Sequence, residues 1–134
     1  MKHYTCRFCG NLVAMINDTG RNIGCCGKNM TEVVPSAAEL RDEKGEKHTP
    51  IIENNRGTVR VTVGPAGNRH PHTDEHFIGW VCLVTNQGSH RKTLSPDGED
   101  FAEFILSKGE RPIAAFAYCN LHGVYVTECK DGCI

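Results

Sequence analysis

One stretch constrains the fold most strongly: Ile113-Ala114-Ala115-Phe116-Ala117-Tyr118-Cys119-Asn120-Leu121-His122-Gly123-Val124-Tyr125-Val126-Thr127. Both ends of it are mainly apolar, and the polar segment between them contains a glycine. This arrangement predicts two antiparallel strands joined by a short loop. The loop also carries a thiol and an imidazole three residues apart, Cys119 and His122, and this spacing lets both bind one metal ion.

Segments upstream of this hairpin also have strand patterns. Residues 58–63 alternate between apolar and polar, with their valines on one face. Residues 77–84 form a continuous apolar run, which is typical of a strand buried on both faces. Residues 101–106 fit a strand or a helix. Turn signals such as Gly64-Pro65 and Asn86-Gln87-Gly88 separate these segments. The chain is therefore expected to be mostly β, with an antiparallel β-sandwich.

Composition narrows the class of protein. The chain has 134 residues, with 15 Lys and Arg against 16 Asp and Glu, so its formal net charge is −1. This balance gives no whole-molecule electrostatic case for binding nucleic acid. Apolar runs are too short for a membrane helix, and the first residues lack the apolar segment of a signal peptide. We therefore expect a cytoplasmic protein, in which the eight cysteines favour metal binding over disulfides.

The sequence divides into three parts. Residues 1–36 are rich in cysteine and glycine and have few apolar side chains, so this small domain needs a metal or a disulfide to stay folded. Residues 37–47 are small or charged and are interpreted as a linker with one helical turn. Residues 48–134 hold the strand patterns and are predicted to form the β-sandwich domain.

The first candidate metal centre lies in the N-terminal part. It combines Cys6-x-x-Cys9-Gly10 with Cys25-Cys26-Gly27 and is called the tetrathiolate centre below. Two residues between Cys6 and Cys9 let both sulfurs reach one ion. Adjacent cysteines cannot both face a tetrahedral metal without distortion of the chain between them. Four thiolates suit iron or zinc, and the spacing alone leaves both open.

The second candidate combines imidazoles with one thiolate. Its predicted ligands, called the histidine–cysteine centre below, are His48, His70, His76, Cys119 and His122. Such a set leaves one position of an octahedron open and has more ligands than zinc normally takes. Iron with an open position binds small oxygen species, and a thiolate donates electron density toward them. His72 lies inside the same loop and is not expected to be a ligand.

Two charged residues precede the first of these histidines directly. Glu46 and Lys47 must lie within about 4–8 Å of a metal bound by His48, given about 3.8 Å between neighbouring residues. A lysine there creates a local positive field that attracts a small anion, although the net charge of the chain is slightly negative. Lys47 and Glu46 are therefore candidate catalytic residues.

Together these motifs resemble the desulfoferrodoxin family, the two-iron class of superoxide reductases. The resemblance runs from residue 4 to about residue 125 and rests on five motifs in order: Cys6-x-x-Cys9-Gly10-Asn11, Cys25-Cys26-Gly27-x-x-Met30, Glu46-Lys47-His48-x-Pro50, His70-Pro71 with Glu75-His76, and Tyr118-Cys119-Asn120-x-His122-Gly123. It implies an immunoglobulin-like antiparallel β-sandwich behind a desulforedoxin-like module. It also implies two iron ions per chain: Fe(Cys)4 held by Cys6, Cys9, Cys25 and Cys26, and Fe(His)4(Cys) with His48, His70, His76 and His122 in the plane and Cys119 axial.

The resemblance also implies a reaction and its partners. The implied activity is superoxide reduction to hydrogen peroxide by one electron and two protons, in a homodimer that takes electrons from a rubredoxin-type donor. Lys47 matches the lysine that assists superoxide, and Glu46 matches the glutamate that can take the sixth position of ferric iron. His72 departs from the family, which often has methionine there.

Other interpretations of the sequence remain open. The protein could be an iron electron-transfer protein without superoxide turnover, a zinc-stabilised binding module, or a superoxide dismutase. Three cysteines have no role in the family pattern. Cys82 lies in an apolar run and is expected in the core, whereas Cys129 and Cys133 could pair on oxidation or stay free.

Overall fold

The computed structural model describes residues 1–37, 43–130 and 133, and it is mostly β. Two compact units are present, Met1–Val34 and Pro35–Ile134. Within the described residues, no helix has the length and the apolar content to span a membrane.

The first unit is built from very short strands. They are β1 (His3–Thr5), β2 (Leu12–Ala14), β3 (Gly24–Cys25), β4 (Lys28–Asn29) and β5 (Thr31–Val33). A three-stranded antiparallel sheet has the order β2-β1-β5, and β3 pairs with β4 in a separate hairpin. Phe8 is 70% exposed and Ile16 is 98% exposed, whereas Cys6 is buried. Since so little apolar surface is buried, cross-linking through the cysteines is the expected source of stability.

The second unit is a sandwich of two sheets. Its elements are β6 (Ser36–Ala37), α1 (Glu43–His48), β7 (Pro50–Asn55), β8 (Thr58–Val63), β9 (Ile78–Thr85), β10 (Gly88–Thr93), β11 (Phe101–Ile105), β12 (Pro112–Cys119) and β13 (Gly123–Glu128). One sheet has the order β10-β9-β12-β13-β6, and the other has the order β11-β8-β7. Every neighbouring pair is antiparallel except β6 and β13. The predicted mostly β fold and antiparallel sandwich are confirmed.

The core lies between the two sheets. Strand β8 contributes Val59, Val61 and Val63, all at most 2% exposed, as its alternation predicts. Leu83 of β9 and Cys119 of β12 belong to the same buried cluster and are 0% exposed. The thiol of Cys119 is therefore held by a packed core rather than by a mobile loop.

Some elements differ from the sequence predictions. In the ambiguous segment 101–106, Phe101–Ile105 forms a strand, because these residues pair with β8. Cys119 pairs with Gly123, so the loop of the hairpin is only residues 120–122. Strand β10 was not predicted, because its side chains are almost all polar and exposed, as suits an edge strand. Of the segment predicted as a linker, residues 38–42 lie outside the described part, and α1 occupies its end.

Candidate metal centres

The cysteines of the tetrathiolate centre meet in the first unit. The sulfurs of Cys6, Cys9, Cys25 and Cys26 all lie within 4.8 Å of one another. The Cys9 and Cys25 sulfurs are 3.6 Å apart. Cys26 has a φ of 52°, which is uncommon for a residue with a side chain. This left-handed conformation is the distortion expected where two adjacent cysteines turn toward one point.

Hydrogen bonds and neighbouring thiols shift the pKa values of Cys6 and Cys26 in opposite directions. Backbone N–H groups of Cys9 and Phe8 lower the pKa of Cys6 to about 6. Contacts with the other thiols raise the pKa of Cys26 to about 12. The Nδ2 group of Asn11 donates to Cys25 Sγ at 3.6 Å. Four clustered thiols cannot all ionise without a cation to offset their repulsion, so the donor set fits a bound metal ion.

The second cluster is assembled from several parts of the sandwich unit. Cys119 is the last residue of β12 and His48 the last of α1, while His76 precedes β9 and His122 lies in the hairpin loop. The donor atoms of these four residues all lie within 4.8 Å of one another. His48 Nε2 is 3.1 Å from His122 Nδ1, and Cys119 Sγ is 3.7 Å from the same atom.

His70 lies beside this group but is not among the four residues of the tight cluster. Its ring centroid is 4.6 Å from that of His48 and also 4.6 Å from that of His76. His70 Nδ1 contacts the Pro71 carbonyl oxygen at 2.8 Å, which leaves Nε2 as the atom available to a metal. Burial is the main cause that lowers the pKa of His70 to about 4, so the ring is neutral at pH 7, as a ligand must be.

Unsatisfied ring nitrogens supply a test of metal fit. The Nε2 atoms of His70 and His76 are buried and have no hydrogen-bond partner. A buried polar atom without a partner is costly, so such atoms call for an explanation. A metal ion bound by these nitrogens would satisfy both, and the residues of the histidine–cysteine centre therefore fit a bound metal ion.

The thiol of Cys119 is tuned by opposing effects. Burial raises its pKa, while the backbone N–H groups of Leu121 and His122 lower it by hydrogen bonding to the sulfur. A cation would favour the thiolate further. The two N–H bonds also withdraw electron density from the sulfur, which limits how strongly it donates to a metal.

A constrained loop carries His70 and His76. Gly64 at its start has a φ of +85°, and a Cβ there would lie 2.5 Å from the Asn68 carbonyl oxygen, so no other residue fits. The His70 N–H then donates to Val63 O at 2.9 Å. Within the loop, His72 Nε2 contacts the Gly98 carbonyl oxygen at 2.8 Å. His72 therefore has a partner outside the cluster.

The two charged candidates differ in their environment. Lys47 is half-buried, and its positive charge contributes to lowering the pKa of His76, after burial and His122. Its ammonium group is therefore close enough to act on the cluster. Glu46 is exposed, and its backbone carbonyl accepts a bond from the Thr49 N–H at 3.3 Å.

Sequence reasoning missed Tyr125 as part of the site. Its ring stacks on His48, with centroids 4.4 Å apart and an angle of 20° between the planes. Tyr125 pairs with Ala117, two residues before Cys119 on β12, and is buried. Only the register between β12 and β13 places Tyr125 near Cys119, because β13 runs antiparallel to the strand that ends in Cys119.

The remaining cysteines lie outside both clusters. Cys82 is buried in β9 at 3% exposure, as predicted for a core residue. Cys129 and Cys133, for which both alternatives were open, form a disulfide.

The fold and the two clusters define a class of protein: a small tetrathiolate unit joined to a β-sandwich with a histidine–cysteine cluster. The family model for desulfoferrodoxin matches residues 40–128. A desulfoferrodoxin homolog from Archaeoglobus fulgidus is 35% identical over 125 residues, which cover 93% of this chain and 94% of that protein. A desulfoferrodoxin from Syntrophotalea carbinolica is 36% identical over the same shares of both chains.

Solved structures agree with these relatives. The superoxide reductase from Treponema pallidum has a TM-score of 0.76 and 31% identity, covering 96% of this chain and 98% of its own. A superoxide reductase (neelaredoxin) from Archaeoglobus fulgidus has a TM-score of 0.55 and 30% identity, covering 68% of this chain and 93% of its own. The chain belongs to the desulfoferrodoxin family, and its two clusters match the two iron centres of that family. Its relatives support an oxidoreductase role.

Proposed function

We propose that this protein is a superoxide reductase. The reaction adds one electron and two protons to superoxide and gives hydrogen peroxide. The observation that carries the proposal is the convergence of imidazoles on one core-held thiol, with the charge of Lys47 acting on the same cluster. A solved structure from Treponema pallidum and a sequence relative from Pyrococcus horikoshii bear the name superoxide reductase, which supports the assignment.

The residues that would hold the two irons follow from the clusters. His48, His70, His76, His122 and Cys119 would bind the iron of the histidine–cysteine centre, and the four N-terminal cysteines would bind the other. The iron of the histidine–cysteine centre would supply the electron by changing between its ferrous and ferric states. Cys119 supplies a thiolate whose electron donation is moderated by two N–H bonds.

Charged residues act on the substrate in this proposal. The ammonium group of Lys47 attracts the superoxide anion and orders the water that delivers protons. Glu46 is exposed one residue earlier, and its carboxylate would be the side-chain ligand available to the iron after peroxide has left. We further propose a cytoplasmic homodimer that receives electrons from a rubredoxin-type donor.

A substitution of Lys47 tests its role. Lys47→Ile should slow the second-order reaction with superoxide about tenfold or more, since attraction by local charge raises association rates by 10 to 1,000-fold. The rate should also depend less on ionic strength. Lys108→Ile, which removes an exposed lysine from the turn before β12, is the matched control and should leave the rate unchanged. Equal rates for wild type and Lys47→Ile, measured by stopped flow, would contradict the role.

Turnover separates the reductase from a plain electron carrier. A catalytic amount of protein is supplied with an electron donor and a steady source of superoxide. A reductase removes many equivalents of superoxide per chain while the donor is oxidised in proportion. An electron carrier without superoxide turnover leaves the decay of superoxide at its uncatalysed rate, and this outcome would overturn the proposal.

A further inference from the structure

The hairpin loop contains an asparagine whose contacts all reach the segment that holds His76. Asn120 Oδ1 accepts a hydrogen bond from the Phe77 N–H at 2.9 Å, and Asn120 Nδ2 donates to the Glu75 carbonyl oxygen at 2.9 Å. The backbone N–H of Asn120 donates to the Phe77 carbonyl oxygen at 3.2 Å. Asn120 therefore binds the residue before His76 and the residue after it.

These bonds lie just beyond the end of the ladder between β12 and β9. The ladder between β12 and β9 ends at the pair Cys119 and Ile78, next to a register shift. Beyond that pair, Asn120 exchanges two bonds with Phe77, as a further strand residue would. Its backbone N–H is the donor, and its side-chain oxygen takes the place of the backbone carbonyl as the acceptor. Asn120 thus joins the loop that carries Cys119 and His122 to the segment that carries His76.

His76 itself is held from the other side. Its N–H donates to the carbonyl oxygen and to the hydroxyl of Thr73, at 3.3 and 3.1 Å, and its own carbonyl oxygen accepts from the Thr73 N–H at 3.0 Å. The backbone N–H and carbonyl groups of His76 therefore bond within the loop, to Thr73. Asn120 holds the backbone of the residues on either side. With these directions set, the imidazole remains as the group that points to the cluster, where its Nε2 is buried without a partner.

The same arrangement recurs at the opposite end of the same strand pair. Asn86 follows β9, donates from its N–H to the Arg111 carbonyl oxygen at 3.1 Å, accepts from the Arg111 N–H at 2.8 Å, and donates from Nδ2 to the Gly109 carbonyl oxygen at 3.2 Å. The residue between these two partners is Glu110, which corresponds to His76 at the other end. Its carboxylate contacts His90 at 2.7 Å. Each asparagine therefore sets the direction of one side chain, and only the one set by Asn120 belongs to the cluster.

We propose that Asn120 is a positioning residue of the histidine–cysteine centre, which holds His76 in register with Cys119 and His122. The inference rests on the proposed function for its catalytic meaning, because a misplaced imidazole alters the iron on which the reaction depends. Residues that orient metal ligands without touching the metal typically change metal affinity by 10 to 100-fold. The structure thus offers a matched pair of asparagines, of which one should affect iron and the other should not.

The test compares Asn120→Ala with Asn86→Ala in the full iron-loaded chain. Iron affinity of the histidine–cysteine centre is measured by competition with a chelator, and its reduction potential by spectroelectrochemistry. Asn120→Ala should weaken iron binding about tenfold or more and shift the potential, since His76 loses its register. Asn86→Ala should leave both within twofold of wild type, although loss of the two corresponding side-chain bonds should lower Tm comparably.

Each outcome decides the proposal. Equal effects of the two variants on iron, or no effect of either, would overturn it, since the bonds of Asn120 would then serve stability alone. If Asn120→Ala does not fold, the iron affinities of Asn120→Asp and Asn86→Asp are compared by the same criterion, because each keeps the acceptor oxygen, loses the side-chain donor and gains the same negative charge. Affinity and potential are measured without superoxide, so these results do not depend on whether the protein reduces it.

Discussion

Cys119→Ser is expected to abolish superoxide reduction while the chain stays folded. Serine has nearly the same shape, but its hydroxyl does not ionise at neutral pH and is a poor ligand for iron. Since residues that only orient a ligand change activity 10 to 100-fold, loss of the thiolate itself should cost about 100-fold or more. Stopped-flow decay of superoxide measures the rate. The thiolate-to-iron absorption of the histidine–cysteine centre should disappear in the same variant.

A second buried cysteine offers the matched control. Cys82 lies in β9 at 3% exposure, so Cys82→Ser places a hydroxyl in the same sandwich at a similar desolvation cost. It should keep both iron centres and the wild-type rate. Absorption of the tetrathiolate centre should be unchanged in both variants. Persistence of the thiolate band in Cys119→Ser would show that another sulfur is the ligand.

His76→Ala is expected to remove iron from the histidine–cysteine centre and leave about one iron per chain, in the tetrathiolate centre. The ring nitrogen of His76 is a buried donor atom of the tight cluster, and alanine leaves the neighbouring imidazoles without it. Elemental analysis of the purified variant measures the iron content. Activity should fall with the lost iron, because the substrate reacts at that centre in the proposal.

The neighbouring histidine is the control for this substitution. His72 belongs to the same loop, but its ring contacts the Gly98 carbonyl oxygen instead of the cluster. His72→Ala should keep both irons and lose only the stability of one hydrogen bond, about 1 kcal/mol. Loss of iron in His72→Ala, or two irons per chain in His76→Ala, would show that the loop presents the other imidazole to the metal.

Much of the fold follows from local pattern. The valines of β8 alternate, and the apolar run of β9 is mostly buried, because both strands pack into the core between the sheets. Edge strand β10 has no such pattern, since its side chains are almost all polar and exposed. Its pairing with β9 across the two-residue turn Asn86-Gln87 specifies that strand, and no apolar pattern of its own does.

The sequence predicts the candidate metal-ligating residues, but it does not predict the residues that position them. Spacing in Cys6-x-x-Cys9 and in the loop from Cys119 to His122 depends on a few adjacent residues, so a single sequence carries it. The stacking of Tyr125 on His48 and the bonds of Asn120 around His76 depend on the register between strands. Such contacts form only when distant segments pair, and no local spacing specifies them.

Counting products with superoxide in excess over the protein tests the proposed reaction most directly. The reduced protein is mixed with excess superoxide in the presence of an electron donor, and hydrogen peroxide and oxygen are both measured. A reductase gives about one peroxide per superoxide consumed and no oxygen, because each superoxide takes one electron from the protein. A dismutase would release oxygen and give about half as much peroxide. Oxygen release, or a superoxide decay no faster than without protein, would contradict the assignment.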